Sequence, residues 1–356
     1  MSEHRRRGGI GKGMTKRDLE SVSRILGEEN ILRDEPMAAH TSFRVGGPAD
    51  FLFRVGTAEQ LLQVLRILRE AGEPYCLLGR GTNLLVGDGG YRGCMIALTG
   101  PGFAGVTFGK ADAGAPQKTQ EGRERPAAAP EAGIGRCGAD PEEEPQERRI
   151  FVRAGAAEPL SAIASAVRDH GLTGFEFAAG IPGSLGGAIV MNAGAYGGSM
   201  DQVVTAVRLL MPDDTIREVP ADQMRFRYRY SLLKEIPAVV LGAELALAPG
   251  DPARITETMK DLGRRRSEKQ PLEYPSAGST FKRPAGMFAG KLIMDAGLRG
   301  FSIGGAAVSE KHCGFVINQG GASAADVRAV IDAVRQRVYE KSGVMLEEEV
   351  VSIGEF

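Results

Sequence analysis

Cysteine is scarce in this 356-residue chain: Cys76, Cys94, Cys137 and Cys313 lie far apart and form no Cys-x-x-Cys pair. That spacing gives no support to a disulfide framework or a zinc knuckle and points to a reducing compartment, so a cytoplasmic protein is expected. No run approaches the roughly 20 apolar residues that a bilayer span requires. The basic start, MSEHRRRGGIGKGMTKR, is not followed by the apolar stretch of a secretory signal. A formal net charge of -1 argues against nucleic acid or an anionic membrane as the main partner, although local basic sites could still hold phosphates. The chain shows no internal repeat.

Glycine is what the chain has in excess, with 49 residues against an average near 7%. Many of these glycines cluster beside apolar strands, a pattern of backbone packed close to a ligand and not of a linker. Apolar residues make up 42%, enough for the cores of two or three domains.

Helix signals are clear from Thr57 to Ala71, where Thr57 caps, Gln60 completes a capping box, and Leu61, Leu65 and Leu68 share a face. Gly72 is placed to end that helix in a left-handed conformation. A strand near Leu77 runs into a glycine-rich loop, Gly79 to Gly90, and another strand follows at Met95–Leu98. From Val106 to Arg148 periodic apolar residues vanish and Ala, Pro, Gly, Gln and Glu dominate, which reads as a disordered surface insertion. Beyond it come a strand at Ile150–Arg153 and a helix using Leu160, Ile163 and Val167. A second glycine cluster then spans Gly180 to Gly198. Strands are expected at Val203–Met211 and Ala238–Leu247, and a helix from Pro252 to Lys269 with Ile255, Met259 and Leu262 inward. The last third reads α+β: a strand at Ser279–Lys282, a helix near Lys291, a strand at Gly314–Asn318, and a long helix from Ser323. That helix has Val327, Val330, Val334 and Val338 on one stripe. The end, Leu346–Ile353, is apolar but broken by three glutamates.

Two segments could carry chemistry. Gly79-Arg-Gly-Thr-Asn-Leu-Leu-Val brings glycines, a hydroxyl and an amide together as a pyrophosphate requires, but it is neither a P-loop nor GxGxxG. Read alone, it is equally an ordinary tight turn. The segment from Ala179 to Gly198 is more specific: seven glycines from Gly180 onward, with Asn192 and Tyr196 as its notable polar side chains. Such a wall suits a flat cofactor lying against backbone; a tightly packed small-residue helix is the plain alternative.

These segments, with His40-Thr-Ser-Phe-Arg-Val-Gly-Gly-Pro-Ala-Asp, Phe226–Lys234, Gln270–Pro284, Ala289–Ile293 and Val344–Gly354, occur in one order over nearly the whole chain. In that order the chain resembles the UDP-N-acetylenolpyruvoylglucosamine reductase (MurB) family, in its short (type II) form, because Lys282-Arg-Pro is so close to Ala289-Gly-Lys. The resemblance implies an α+β protein with a two-part FAD-binding domain of the vanillyl-alcohol-oxidase (PCMH) type and a C-terminal α+β substrate-binding domain. The divisions expected are a flexible basic N-terminus at 1–17, an FAD-binding domain at 18–250 with the insertion at 106–148, and a substrate domain at 251–356. The last strand of that domain is expected to return to the active site. The implied activity is NADPH-dependent reduction of an enolpyruvyl amino sugar linked to UDP, through noncovalent FAD, with no metal, nucleic acid or membrane involved.

Hydride delivery to an enol ether leaves negative charge beside a carboxylate and then calls for a proton. The resemblance assigns these tasks to Arg229 as the guanidinium, Ser279 as the proton donor and Glu349 as an assisting carboxylate. Glu347 should share the face of Glu349, and Glu348 should face away. Of Ser279 and Thr280, only one can point inward. Without the motif, Arg229 would read as a surface arginine, as Arg225 and Arg227 do, and Glu349 as a solvated strand end. Cofactor contacts are expected from Gly79, Arg80, Gly81, Thr82, Asn83 and Leu84, and from Ile181, Pro182, Gly183, Ser184, Gly187, Asn192, Gly194 and Ala195. Substrate contacts are expected from Tyr228, Lys282, Arg283 and Lys291. No histidine is expected in catalysis: His40 orders a turn, His170 ends a helix, and His312 approaches the core of the last domain. Two other classes stay open at this level: a related FAD oxidase or dehydrogenase acting on another alcohol or sugar, and a non-catalytic flavin-binding protein. The joint presence of Arg229, Ser279 and Glu349 disfavours the oxidase, which has no enolate to protonate.

Overall fold

A computed structural model describes residues 13–109 and 149–356. The first described element is a helix outside the expected set, Lys16–Leu26, begun by a Thr15–Asp18 capping box and anchored by buried Val22 and Leu26. The segment expected to be flexible therefore gives way to helix at its last two residues; residues 1–12 lie outside the described ones.

This helix and the helix Ala58–Ala71 pack beside a four-stranded sheet ordered Ile31–Pro36, Pro48–Val55, Tyr91–Leu98, Tyr75–Leu78. The first pair is antiparallel and the others are parallel. As expected, Thr57 Oγ1 accepts from Gln60 N–H at 3.2 Å, and Gly72 ends the helix at φ 66°. The reciprocal bond falls one residue away, however, because Gly56 N–H donates to Gln60 Oε1.

A second, antiparallel sheet runs Ile216–Pro220, Val204–Leu210, Val239–Pro249, Ile150–Gly155, Val106–Phe108, with Leu172–Thr173 beside the long central strand. Val106–Phe108 corrects the expected start of the insertion. These residues form an edge strand with Val106 opposite Ala154, too short to show a period in sequence. The remainder of that expected insertion, 110–148, lies outside the described residues. Leu160, Ile163 and Val167 of the helix Leu160–Asp169 are buried in the core of this half, as their spacing predicts.

The helix Pro252–Lys269 also belongs to this half by packing. It contacts the turn Glu176–Ala178 and the helix Leu160–Asp169, and Met259 lies on their core. This packing favours a division after Lys269 over the expected one at 251. Asp251 caps this helix and Pro252 opens it, so the punctuation taken for a domain start marks only a helix start.

The last part holds the small sheet Ser302–Ile303, Ala306–Val308, Val316–Asn318 against the helices Ala289–Asp295 and Ala324–Ser342. Ser323 caps the long helix, and Val327, Val330, Val334 and Val338 are fully buried. Phe43, Val45 and Leu85 from the first half enter the same core, which locks the parts together. Ser279–Lys282 is not a regular strand; it carries one isolated bridge, Phe281 to Glu348. The end of the chain forms the strand Val351–Ile353, parallel to Leu84–Val86. The glycine-rich loop expected from Gly79 to Gly90 thus contains a strand whose partner is nearly 270 residues away, too distant for local patterning to reveal. Among the described residues no helix is long and apolar enough to cross a membrane, and no cluster of His, Cys, Asp or Glu could hold a metal.

Candidate active site

The two glycine segments meet. A Cβ placed on Gly79 would lie 3.1 Å from Ser184 Oγ, and Gly183 looks across at Thr82 Oγ1. Local folding explains the second segment. Ser184 bridges to Pro159, Leu185 N–H donates to Glu158 O at 2.9 Å, and Gly186 N–H donates to Ala156 O at 2.8 Å. These bonds fix the start of the helix Leu185–Met191, whose Leu185, Ala188 and Ile189 are buried while Gly187 is exposed.

Side-chain space separates glycines that serve packing from those that leave room. Gly81 must be glycine: a Cβ would stand 1.9 Å from His40 O. Gly183 has an ordinary φ, and its Cβ would meet nothing closer than 3.9 Å; on Gly187 the nearest atom would be 3.7 Å away. Neither needs to be glycine for the protein's own packing. Together with exposed Gly79, Arg80 and Pro182 and half-buried Thr82 and Ile181, they leave a surface that a flat dinucleotide fits, with backbone within its reach. FAD would rest here on Gly79–Thr82 and Ile181–Gly187, with Ser184 buried behind.

Three of the expected cofactor residues also bond within the protein. Asn83 Nδ2 donates to Glu349 O at 3.0 Å, and Asn83 O accepts from Val351 N–H at 3.0 Å, so Asn83 ties the loop to the last strand. Leu84 pairs with Val351 in that strand. Asn192, 5% exposed, donates to Arg227 O and accepts from Asp201 N–H. It therefore fixes the turn that presents the arginine. Gly194 and Ala195 form a small hairpin with Gly198 and Ser199 whose central residues, Tyr196 and Gly197, both have positive φ, as a type I′ turn demands.

Arg229 sits at the tip of another tight turn. Arg227 and Tyr230 exchange backbone hydrogen bonds at 3.1 Å, and Arg229 between them has φ 54°. Such a conformation costs a non-glycine residue on the order of 1–3 kcal/mol and persists only where surroundings enforce it. The enforcement is visible: Ser231 Oγ donates to Val190 O, Asn192 holds Arg227, and Arg229 Nη2 donates to Gly194 O at 3.4 Å.

Arg229 Nε donates to Glu349 Oε1 at 2.5 Å, with only 20% and 13% of the two side chains exposed. Burial pushes the Glu349 carboxyl above its ordinary range, and Arg229, Lys234 and Lys282 pull it partly back. Lys234 is pushed down by burial and by Lys282, while Glu349 and Glu347 oppose that shift. Three cations and two carboxylates therefore share one neighbourhood. Lys234 was missed in the sequence, although it closes the Phe226–Lys234 segment.

The acidic run at 347–349 divides by face as a strand should. Glu347 pairs with Lys282, whereas Glu348 takes a two-pronged bond from Arg328 at 2.7 and 2.8 Å and a third from Arg335. Glu349 N–H donates to Thr280 O at 2.9 Å. Thr280 is the inward one of its pair: it is fully buried, and its Oγ1 accepts from Val316 N–H at 3.0 Å. Ser279, half-buried, stands one residue before it. At the rim, Tyr228 Oη accepts from Arg283 N–H at 3.1 Å, and the Arg283 guanidinium lies 4.6 Å from the Phe288 ring centre. Lys291 is apart from this cluster in its bonding, paired with Asp295 on an exposed helix turn at 2.6 Å. The structure thus brings Arg229, Glu349 and Lys282 together, and Tyr228 with Arg283.

The histidines lie where expected. His40 Nε2 bonds Glu35, His170 Nδ1 bonds Ala166 O at a helix end, and His312 Nδ1 accepts from Gly314 N–H, with burial lowering the His312 pKa.

Residues 270–353 match the family described as UDP-N-acetylenolpyruvoylglucosamine reductase, C-terminal domain, and residues 143–220 match the FAD binding domain family. The first of these begins immediately after the helix Pro252–Lys269. The UDP-N-acetylenolpyruvoylglucosamine reductase of Clostridioides difficile (strain 630) is 46% identical over 331 residues, 93% of this chain and 96% of that protein. The enzyme of the same name from Agathobacter rectalis is 42% identical over 343 residues, 96% of this chain and all of its own. Among solved structures, UDP-N-acetylenolpyruvylglucosamine reductase from Thermus caldophilus superposes with a TM-score of 0.67 at 30% identity, covering 90% of this chain and 97% of that one.

Proposed function

Because the chain belongs to the UDP-N-acetylenolpyruvoylglucosamine reductase family and is an FAD-dependent oxidoreductase, we propose that it converts UDP-N-acetyl-3-O-(1-carboxyvinyl)-glucosamine to UDP-N-acetylmuramate. NADPH is the proposed reductant, the cytoplasm the proposed compartment, and peptidoglycan precursor synthesis the proposed setting. Held by Gly79–Thr82 and Ile181–Gly187, FAD would supply the redox chemistry, passing electrons from NADPH as hydride to C3 of the enolpyruvyl group.

The protein's own residues must then handle charge and a proton. Arg229 receives the substrate carboxylate and the negative charge that develops beside it, with Lys234 and Lys282 adding positive potential in a half-buried setting. Glu349 aims the guanidinium. Ser279 gives its hydroxyl proton to C2, held in place by the Thr280 bonds to Val316 and Glu349. Tyr228 and Arg283 meet the nucleotide diphosphate at the rim, and Lys291 is a weaker candidate because Asp295 already occupies it. The reading rests above all on the Arg229–Glu349 pair, which joins the two domains beside the cofactor loops.

The test is anaerobic reduction of the bound flavin by NADPH followed by addition of the enolpyruvyl sugar nucleotide. Rapid reoxidation with one equivalent of UDP-N-acetylmuramate is the expected result. Reduction without substrate-driven reoxidation overturns the substrate assignment, and failure of NADPH to reduce the flavin overturns the reductant.

A further inference from the structure

The acidic run Glu347–Glu349 precedes the regular pairing of the last strand, which begins at Val351, and Glu348 makes an isolated bridge to Phe281. Its backbone is held by Lys282 N–H, Thr280 O and the Asn83 amide. On the other side, Leu346 and Val350 are buried in the core shared with the helix Ala324–Ser342, and Glu348 stands between them on the same face. A carboxylate therefore occupies a place that packing alone would give to an apolar side chain. Two arginines of that helix hold it. Arg328 Nη1 and Nη2 donate to its two oxygens at 2.7 and 2.8 Å, and Arg335 Nη1 adds a third bond at 2.9 Å. Both guanidiniums are themselves anchored. Arg328 Nε and Nη2 donate to Asp332 at 3.1 and 2.6 Å, and Arg335 Nε donates to Leu346 O at 3.2 Å. Glu348 and Arg328 each keep 21% of the side chain exposed.

Replacing a largely buried ion pair by apolar side chains of similar volume is often neutral or stabilising, so stability alone does not account for this one. What a guanidinium fork on a carboxylate adds is direction: two parallel bonds fix both place and rotation. Glu349 is the next residue and points the other way, where Arg229 Nε donates to it at 2.5 Å. We propose that Arg328 and Arg335 are positioning residues for the reduction: by gripping Glu348 they set the Glu349 carboxylate, and through it the Arg229 guanidinium. The cations that shift Glu349 are Arg229, Lys234 and Lys282. Arg328 and Arg335 lie behind the opposite face and act through place, not charge. The inference rests on the proposed reaction, in which Glu349 aims the guanidinium.

The decisive variant is Arg328→Met/Glu348→Leu, which removes the pair without stranding a carboxylate; Arg335, 36% exposed, keeps its bond to Leu346 O. Its Tm and flavin content should match or exceed wild type, and NADPH should still reduce its flavin. Reoxidation by saturating enolpyruvyl sugar nucleotide should slow roughly ten- to a hundredfold, as a displacement of about 1 Å at the reacting groups does. Arg328→Lys, which keeps the charge but not the fork, should be slowed less. In a Glu349→Ala background the double exchange should cost little more, because the clamp then has nothing to position. A wild-type reoxidation rate in the double variant overturns the proposal. So does a slowing matched by loss of flavin or of reduction by NADPH, which marks a structural role, and so does full additivity with Glu349→Ala. If the wild-type protein is not reoxidised by the sugar nucleotide, the substrate reading fails instead, and a crystal structure of the double variant decides the proposal. The Glu349 carboxylate should then lie off Arg229 Nε; an unmoved pair overturns it.

Discussion

Two glycine-to-alanine exchanges, at Gly87 and Gly183, separate the glycines that serve the fold from those that serve the cofactor. At Gly87 a Cβ would stand 2.0 Å from Glu355 O and 2.4 Å from its carbonyl carbon, both backbone atoms that cannot rotate away. The same residue donates its N–H to Ile353 O at 3.0 Å. Overpacking costs about 1–3 kcal/mol, and loss of the hydrogen bond adds about 1 kcal/mol, so Gly87→Ala should lose about 2–4 kcal/mol. At about 2–4 °C per kcal/mol for domains of this size, the apoprotein Tm should fall by roughly 5–15 °C. At Gly183 the nearest atoms, Ile181 Cγ2 and Leu160 Cδ1, would be 3.9 Å away, and φ is ordinary. Alanine there should leave the apoprotein unchanged or raise its stability by about 0.4–1 kcal/mol through the unfolded chain. Yet it should weaken FAD at least about tenfold, equivalent to about 1.4 kcal/mol, because the methyl group enters the cofactor's space. Thermal melts of the apoproteins and fluorescence titrations with FAD measure both effects. Wild-type FAD affinity in Gly183→Ala would refute the placement of the cofactor, and an unchanged Tm in Gly87→Ala would refute the packing argument.

Glu349 should leave a signature in stability against pH. Burial raises its carboxyl above the ordinary 4.5, so the native state keeps the proton to higher pH than the unfolded chain, and this group's contribution to stability falls as pH rises from there through the raised value. Glu349→Gln lacks that titration, so melts from acid to neutral pH should show the variant gaining on wild type across this window; parallel curves would count against it. Asp88 accepts from Ala324 and Ala325 N–H at 2.7 and 2.8 Å, capping the last helix from across the domain boundary. Asp88→Ala should cost about 1–2 kcal/mol and speed amide exchange in the first turn of Ala324–Ser342, and unaltered exchange there would show that Ser323 suffices.

What the sequence disclosed follows the range of the interactions involved. The helices Ala58–Ala71 and Ala324–Ser342 were legible because caps and apolar stripes are local, and Thr57, Gly72 and Ser323 act as their types predict. The strand Leu84–Val86 was not, because three residues flanked by glycine become a strand only when Val351–Ile353 arrives beside them. The site divides in the same way. Motif order named Arg229, Glu349 and Lys282, which the fold brings together, whereas nothing local shows that the Asn83 and Asn192 amides bond within the protein.

The acidic end of the chain shows how a charge run becomes a site. Alternation along 347–349 sends Glu348 to Arg328 and Arg335 on the long helix and leaves Glu347 and Glu349 facing Lys282 and Arg229. The backbone of the same segment is pinned twice, by Thr280 and by Asn83. Glu349 therefore cannot shift without disturbing both loops, and that constraint helps hold Arg229 in a backbone conformation an isolated turn would abandon. The Glu349 carboxylate thus holds the guanidinium of a residue whose backbone is strained, across two distant parts of the chain.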